Sequence, residues 1–176
     1  MKLAVFSDTH GNSENLLKAG RMASDMKAET FVHLGDDEED MYVIEELRKP
    51  VISVPGLFGK AYMDPGVSNR LIKDFVGFKI LFTHSPVSTE NDLPEDVRPE
   101  SLVQSTEINA MFYGHTHVFD VGVRGGIFYL NPGHLRTSDK RGLLPTFALV
   151  EITAEKLGAD IISLTGRPVA SGALMR

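Results

Sequence analysis

Residues 3–12 of the chain read LAVFSDTHGN, and this stretch predicts how the fold begins. Residues 3–6 form a short apolar run, which is typical of a buried strand. Asp8 and His10 come soon after it, and Gly11 permits a sharp turn into a following helix. Side chains two positions apart in extended backbone point to the same side, so Asp8 and His10 are candidates to bind one metal ion. Capping of the helix is the alternative role for both residues.

The pattern of the first strand recurs along the chain. Up to Val54, apolar strands alternate with helical segments after Asn12 and at residues 37–48, which predicts right-handed crossovers and a mainly parallel sheet. From Val118 onward, strand and turn signals dominate. We therefore expect an α/β fold, a two-sheet sandwich with helices outside, in a single domain over residues 1–176. The predicted strands are residues 3–6, 30–34, 51–54, 79–82, 110–113, 118–123, 126–130, 146–152 and 160–164, and residues 85–105 are predicted to form a long polar loop.

The composition narrows the classes of function. The chain has 24 acidic and 18 basic side chains, and its net charge of -6 does not favour non-specific binding of nucleic acid. There is no cysteine, so any metal has to be held by oxygen and imidazole ligands. No apolar run approaches the roughly 20 residues that cross a bilayer, and the run after Lys2 is too short for a signal peptide. We expect a cytoplasmic protein that does not bind membranes.

Three more units with metal-binding side chains follow predicted strands. Asp36 comes after a strand and Gly35, although it also opens an acidic run that suits a helix start. His84 follows the strand at residues 79–82, and taken alone it is weak evidence for a site. His115 and His117 lie two positions apart, and imidazole is the commonest metal ligand near neutral pH. Together the four units offer two carboxylates and four imidazoles, which suit Mn²⁺, Fe, Zn²⁺ or Ni²⁺.

The ordered set resembles the calcineurin-like metallophosphoesterase superfamily, and within it the small single-domain phosphodiesterases of bacteria and archaea. The resemblance extends from Met1 to about Ile152. It implies a four-layer α-β-β-α sandwich of two mixed β-sheets flanked by helices. The motifs that carry it are Asp8-x-His10, Gly35-Asp36, His84, Gly114-His115-x-His117 and Asn131-Pro132-Gly133.

The resemblance also implies a site with two divalent metal ions, with Mn²⁺ expected and Fe, Zn²⁺ or Ni²⁺ as alternatives. The implied reaction is hydrolysis of a small phosphorylated substrate, a phosphodiester or alternatively a phosphomonoester, by a hydroxide that bridges the two metals. Asp36, His84 and His115 are the residues assigned to catalysis. By the resemblance, Asp8, His10 and His117 hold the first metal, Asp36 bridges both, and His84 and His115 hold the second.

The chain departs from the family pattern after its third strand. Gly56 matches a family glycine, but Leu57 stands where the family has an asparagine that binds the second metal, and leucine has no donor or acceptor. Asp64 or Asn69 would have to fold back to replace it, which the spacing does not show. We therefore expect weaker binding of the second metal and a strong preference for good leaving groups, since no general acid is evident.

Two other positions differ from close relatives. Ser85 and Pro86 follow His84 where many relatives have a second histidine. His134 stands where close relatives usually have serine, and we expect it to be a surface turn residue. His33 lies inside the second strand, and we expect it to be a packed core or edge residue rather than a ligand.

A binding module on the same fold is the alternative function. The retromer scaffold subunit is a relative that lost catalysis and makes protein contacts, and the loss at Leu57 fits such decay. Retention of all four histidine ligands favours the enzyme. The apolar loop at Leu57 and Phe58 is expected to pack down as a lid on the core, with a pocket for an aromatic leaving group or a partner surface as alternatives. Formation of a homo-oligomer stays open.

Overall fold

A computed structural model of the chain describes residues 1–176, with the side chain of Glu38 outside the described part. The fold has two mixed sheets, two α-helices and two 3₁₀ segments. The strands are β1 Lys2–Phe6, β2 Thr30–His33, β3 Val51–Ser53, β4 Arg70–Phe75, β5 Phe78–Thr83, β6 Ala110–Phe112, β7 Asp120–Arg124, β8 Ile127–Asn131, β9 Thr146–Ile152, β10 Lys156–Ser163 and β11 Pro168–Met175. The helices are α1 Ser13–Asp25 and α2 Pro99–Gln104, and the 3₁₀ segments are Glu38–Leu47 and Lys60–Met63.

The strands pair in the orders β11-β10-β9-β1-β2-β3 and β4-β5-β6-β8-β7. The pairs β1–β2 and β2–β3 are parallel, as the crossovers predict, whereas β9 joins β1 in antiparallel orientation. In the second sheet β5–β6 and β6–β8 are parallel and the edge pairs are antiparallel. Each sheet is therefore mixed, as the resemblance implies.

The continuous apolar run of β1 follows from its cover on both faces. Leu3 and Val5 face the core between the two sheets, whereas Ala4 and Phe6 pack in the layer that includes α1. A third apolar cluster lies on the outer face of the second sheet, where Leu102 of α2 packs near Leu81. The order of layers is helix, sheet, sheet, helix, and the predicted four-layer α-β-β-α sandwich is confirmed.

Some predicted elements differ from the structure. The predicted second helix is a 3₁₀ segment, and it starts only after Asp36 and Asp37, which both have positive φ. The predicted loop at residues 85–105 contains α2. The strands β4 and β11 were not predicted, because both lie at sheet edges with many exposed positions and show no clear apolar alternation.

The loops that follow four parallel strands come together at one end of the sandwich. The amide of Asp8, after β1, donates a hydrogen bond to Gly35 after β2, at 3.0 Å. Gly114, after β6, donates in the same way to the carbonyl of His84 after β5, at 2.9 Å. These bonds fix the loops within each sheet, and the loops of the two sheets then meet. Among the helices that the structure describes, none has the length and apolar character needed to cross a membrane.

Candidate metal centre

Six Asp and His side chains meet at this end of the sandwich, in two groups that share Asp36. Within each group, one nitrogen or oxygen of every member lies within 4.8 Å of those of the others. Both groups combine side chains from the first and the second sheet. The first group is Asp8, His10, Asp36 and His117, and the second is Asp36, His84 and His115. These are the six residues that the sequence proposes as metal ligands.

The atoms of the two groups are spaced as ligands around an ion would be. The Nε2 atoms of His10 and His117 are 3.0 Å apart, and Nε2 of His117 lies 3.2 Å from Oδ1 of Asp8. In the second group, Nε2 of His84 lies 3.3 Å from Oδ1 of Asp36. Two ligands that are each about 2.0–2.2 Å from one ion are separated by roughly 3 Å. The geometry therefore fits a divalent ion in each group.

Two buried atoms support this fit. Oδ1 of Asp8 and Nε2 of His84 are inaccessible to solvent and make no hydrogen bond of normal geometry, and their nearest polar contacts are other members of their own groups, at 3.2 Å and 3.3 Å. Such atoms are rare in folded proteins, because an unpaired buried polar group costs about 1–3 kcal/mol. One of these atoms belongs to each group, and a cation would satisfy both.

The other atoms of Asp8 and His84 are held in place by the fold. Oδ2 of Asp8 accepts hydrogen bonds from the Ser7 hydroxyl at 2.5 Å and from the His115 amide at 3.0 Å. Nδ1 of His84 lies 2.7 Å from the carbonyl of Leu34, which can only accept, so in the neutral ring Nδ1 carries the proton and Nε2 has the lone pair. Each side chain therefore presents its one free ligand atom to the centre.

The backbone at the ligands is unusual. Asp8, His10, Asp36, His115 and His117 have φ values of 54°, 49°, 57°, 65° and 60°. This left-handed region is sparsely populated by residues other than glycine, and such residues cluster at functional sites. Tight left-handed turns after the strands direct these side chains back over the end of the sandwich.

Two glycines permit the close approach of these loops. A Cβ on Gly56 would lie 2.2 Å from Oδ1 of Asp36, and one on Gly114 would lie 1.9 Å from Oγ of Ser7. Since real Cβ atoms do not approach so closely, any other residue at either position would displace the shared carboxylate or the support of Asp8.

The charges of the two groups are strongly coupled. Burial disfavours the charged forms of Asp36 and His84, but each stabilises the other, so the pKa of Asp36 is lowered and the pKa of His84 is raised. The carboxylate of Asp8 likewise raises the pKa of His117. Burial and the neighbouring His84 lower the pKa of His115. Protons therefore compete with cations for His84 and His117.

Leu57 makes no polar contribution through its side chain, which is only 4% exposed. Neither candidate replacement for the family asparagine reaches the centre. Asp64 is exposed and accepts a hydrogen bond from the Gly66 amide. Asn69 is buried and donates to the carbonyl of Tyr62 and to the carboxylate of Asp96. The second group accordingly has three members where the first has four.

The prediction that His134 is a surface turn residue was wrong. His134 is fully buried, and its ring lies 5.6 Å from the ring of His117. The turn after β8 folds inward, and the Thr146 hydroxyl donates a hydrogen bond to the carbonyl of Pro132 within it. Nothing in the sequence around this turn indicates its burial.

Two contacts with the centre were not foreseen from the sequence. His33 is buried as expected, but its Nε2 also lies 2.6 Å from the Thr9 hydroxyl between Asp8 and His10. The carboxylate of Asp139 lies 3.7 Å from Nδ1 of His117, on the side of the ring away from Asp8. A carboxylate at this position favours the tautomer with Nε2 free for a metal.

Three known proteins are similar to this chain in sequence or in structure. A phosphodiesterase of Methanocaldococcus jannaschii is 24% identical over 147 residues, which cover 76% of this chain and 83% of that protein. The E. coli phosphoesterase Yfce superposes with a TM-score of 0.73 at 20% identity, over 99% of this chain and 100% of that one. Vps29 of Entamoeba histolytica, solved with Zn²⁺, superposes with a TM-score of 0.65 at 21% identity, over 99% of each chain.

A family model gives the decisive match. The model for the calcineurin-like phosphoesterase superfamily domain matches residues 1–155, a range that contains every residue of the two ligand groups. Since this match covers most of the chain, the chain belongs to the calcineurin-like phosphoesterase superfamily.

Proposed function

We propose that this protein hydrolyses a small phosphodiester at a centre of two divalent metal ions. The observation that carries the proposal is the presence of two adjacent ligand groups that share the carboxylate of Asp36. Membership of a phosphoesterase superfamily and a relative that is a phosphodiesterase support the same reaction class. A phosphomonoester is the alternative substrate.

The proposed division of labour follows the two groups. Asp8, His10 and His117 would hold the first ion, His84 and His115 the second, and Asp36 would belong to both. Ions at such sites supply Lewis acidity, which neutralises phosphate charge and activates water. The protein's own part is to keep the ligand atoms oriented and closely spaced. Ser7 and the His115 amide do so for Asp8, and the Leu34 carbonyl does so for His84.

The two sites are proposed to be unequal. The second group has three members, and Leu57 adds no ligand to it. We expect Mn²⁺ to occupy the first site before the second, with Fe, Zn²⁺ and Ni²⁺ as alternative ions. Leu57 also gives no proton to a leaving group, so aryl esters should react much faster than alkyl esters.

The test is turnover of bis(p-nitrophenyl) phosphate by protein stripped of metal and then supplied with Mn²⁺. Asp36→Ala should reduce the metal-dependent rate by at least about a hundredfold, because both sites lose a ligand. Asp64→Ala is the matched control, since its carboxylate is exposed and belongs to neither group. It should keep the parental rate. A bis-alkyl phosphate should react far more slowly than the aryl substrate.

A binding function is the second candidate. Phe58 is 81% exposed and lines a cavity with His10 and Asp36, which leaves apolar surface beside the centre. If none of the four metals supports turnover and the parent behaves like Asp36→Ala, the phosphodiesterase proposal is wrong. A protein-binding role of the same fold would then be the better explanation.

A further inference from the structure

The loop after β3 places two neighbouring apolar residues in opposite environments. Leu57 is 4% exposed and packs into the protein, whereas Phe58 is 81% exposed. The prediction that this loop packs down on the core agrees with the burial of Leu57 and was wrong for Phe58. Isolated apolar side chains on a surface are ordinary, so the meaning of Phe58 depends on what lies beside it.

Phe58 borders the metal centre. It lines a cavity of about 260 Å³ together with His10, Asp36, Gly56 and Gly59. His10 and Asp36 both belong to the first ligand group. A phosphate bound at this group would therefore have one of its substituents in the cavity, within reach of the aromatic ring.

The cavity has an acidic rim. Asp37 and Glu39 line it and are exposed, and the described lining includes neither lysine nor arginine. An ester group with a further negative charge would be repelled there. An uncharged aromatic group would stack on Phe58 without that repulsion, and aromatic pairs add to the gain from burial alone.

We infer that Phe58 is a specificity residue whose ring binds an uncharged aromatic ester group of the substrate, beside the first ligand group. This inference rests on the proposed function, because the cavity selects an ester group only if the centre binds a phosphate. It narrows the substrate class to diesters with at least one aryl or similarly flat, uncharged substituent.

The inference can be tested by binding, without turnover. Dimethylphosphinate and methyl(phenyl)phosphinate mimic a diester anion, contain no cleavable ester, and differ only in one methyl or phenyl group. Their dissociation constants would be measured by NMR titration of the Zn²⁺-loaded protein, with inorganic phosphate as a probe of the centre itself. The parent should bind the phenyl compound about tenfold more tightly than the methyl compound.

Variants separate the ring from the metal centre. Phe58→Ala should abolish the phenyl preference and leave phosphate binding unchanged, while Phe58→Tyr should restore the preference. Met63→Ala is the matched control, because Met63 is also an exposed apolar residue but does not line the cavity. It should keep the preference.

Repulsion by the acidic rim is tested separately, with a ligand that has a second negative charge. Methyl(4-carboxyphenyl)phosphinate should bind the parent several-fold more weakly than the phenyl compound, and Glu39→Gln should reduce this difference. The difference should also shrink at high ionic strength, since both acidic groups are exposed and screened by salt.

Failure of the proposed role of Phe58 and failure of the proposed function would give different results. Phosphate binding without a phenyl preference, or a preference that survives Phe58→Ala, would overturn the role of Phe58 and leave the proposed function intact. Failure of phosphate itself to bind the metal-loaded protein would overturn the proposed function and the role of Phe58 together.

Discussion

At the scale of single residues, position relative to a strand predicted the six candidate ligands, because each follows an apolar run that ends at the same side of the sandwich. Side-chain burial was less predictable. His134 lies in a turn that gives no apolar signal, yet it is fully buried. Phe58 belongs to an apolar loop, yet it is exposed. Both outcomes depend on contacts between distant segments, which local sequence does not encode.

His33 should make the protein sensitive to acid. Its ring accepts a hydrogen bond from the Gly35 amide through Nδ1 and donates to Thr9 through Nε2, and burial lowers its pKa to about 4. The unfolded chain takes up a proton near pH 6.5, and the folded chain does so only near pH 4. Stability therefore falls as the pH decreases through this window, by on the order of 3 kcal/mol in full.

The measurement is urea unfolding of metal-free protein at pH 7.5 and pH 5. The parent should lose about 2 kcal/mol more than His33→Gln over this interval, since glutamine does not titrate. Thr9→Val removes the hydrogen bond but keeps the histidine, so it should keep the acid sensitivity. Equal losses in the parent and in His33→Gln would show that His33 takes up its proton as readily in the folded protein as in the unfolded chain.

At the scale of elements, strands covered on both faces were predicted well and edge strands were not. The central strand β1 is a continuous apolar run, whereas β4 contains exposed charged residues and β11 contains small residues. The helix α2 has only six residues, too few for a periodic pattern. The segment around it was predicted as a loop, but its polar residues make defined contacts with β4.

Asp92 is the main anchor of this segment. Its carboxylate accepts hydrogen bonds from Tyr62 and Arg70, each at 2.7 Å, and the Arg70 side chain is 3% exposed. Asp92→Asn should destabilise the protein by about 3 kcal/mol, because it leaves a buried guanidinium without its closest partner. Urea unfolding at pH 7.5 would measure this loss. Glu95→Gln, an exposed carboxylate of the same segment, should change stability little, and comparable effects of the two variants would contradict the anchor role.

At the scale of the whole molecule, the two ligand groups connect the two sheets. Asp8, His10 and Asp36 follow strands of the first sheet, and His84, His115 and His117 follow strands of the second. Each group includes members of both sets. Metal binding should therefore depend on the assembled sandwich and stabilise it in return.

Calorimetric titration of metal-free protein with Mn²⁺ should resolve two binding steps. The first should be at least about tenfold tighter than the second, because a missing ligand or its support typically costs 10- to 100-fold in affinity. His10→Ala should weaken the tight step, since His10 belongs only to the first group. Two equally tight sites in the parent would show that the second site needs no further ligand.

The left-handed backbone at five of the ligands should lower the thermal stability of the metal-free protein. Before any ion binds, the positive φ at each of these positions costs about 1 kcal/mol of folding free energy, and glycine would avoid this cost. Metal-free His10→Gly should therefore unfold at a higher temperature than the parent. His84→Gly should unfold at a lower temperature, because φ is not positive there. These aspartates and histidines therefore lower the stability of the metal-free chain at positions where they also provide side chains that can bind ions. If metal-free His10→Gly unfolds at the same temperature as the parent, the left-handed backbone at His10 does not lower the stability of the protein.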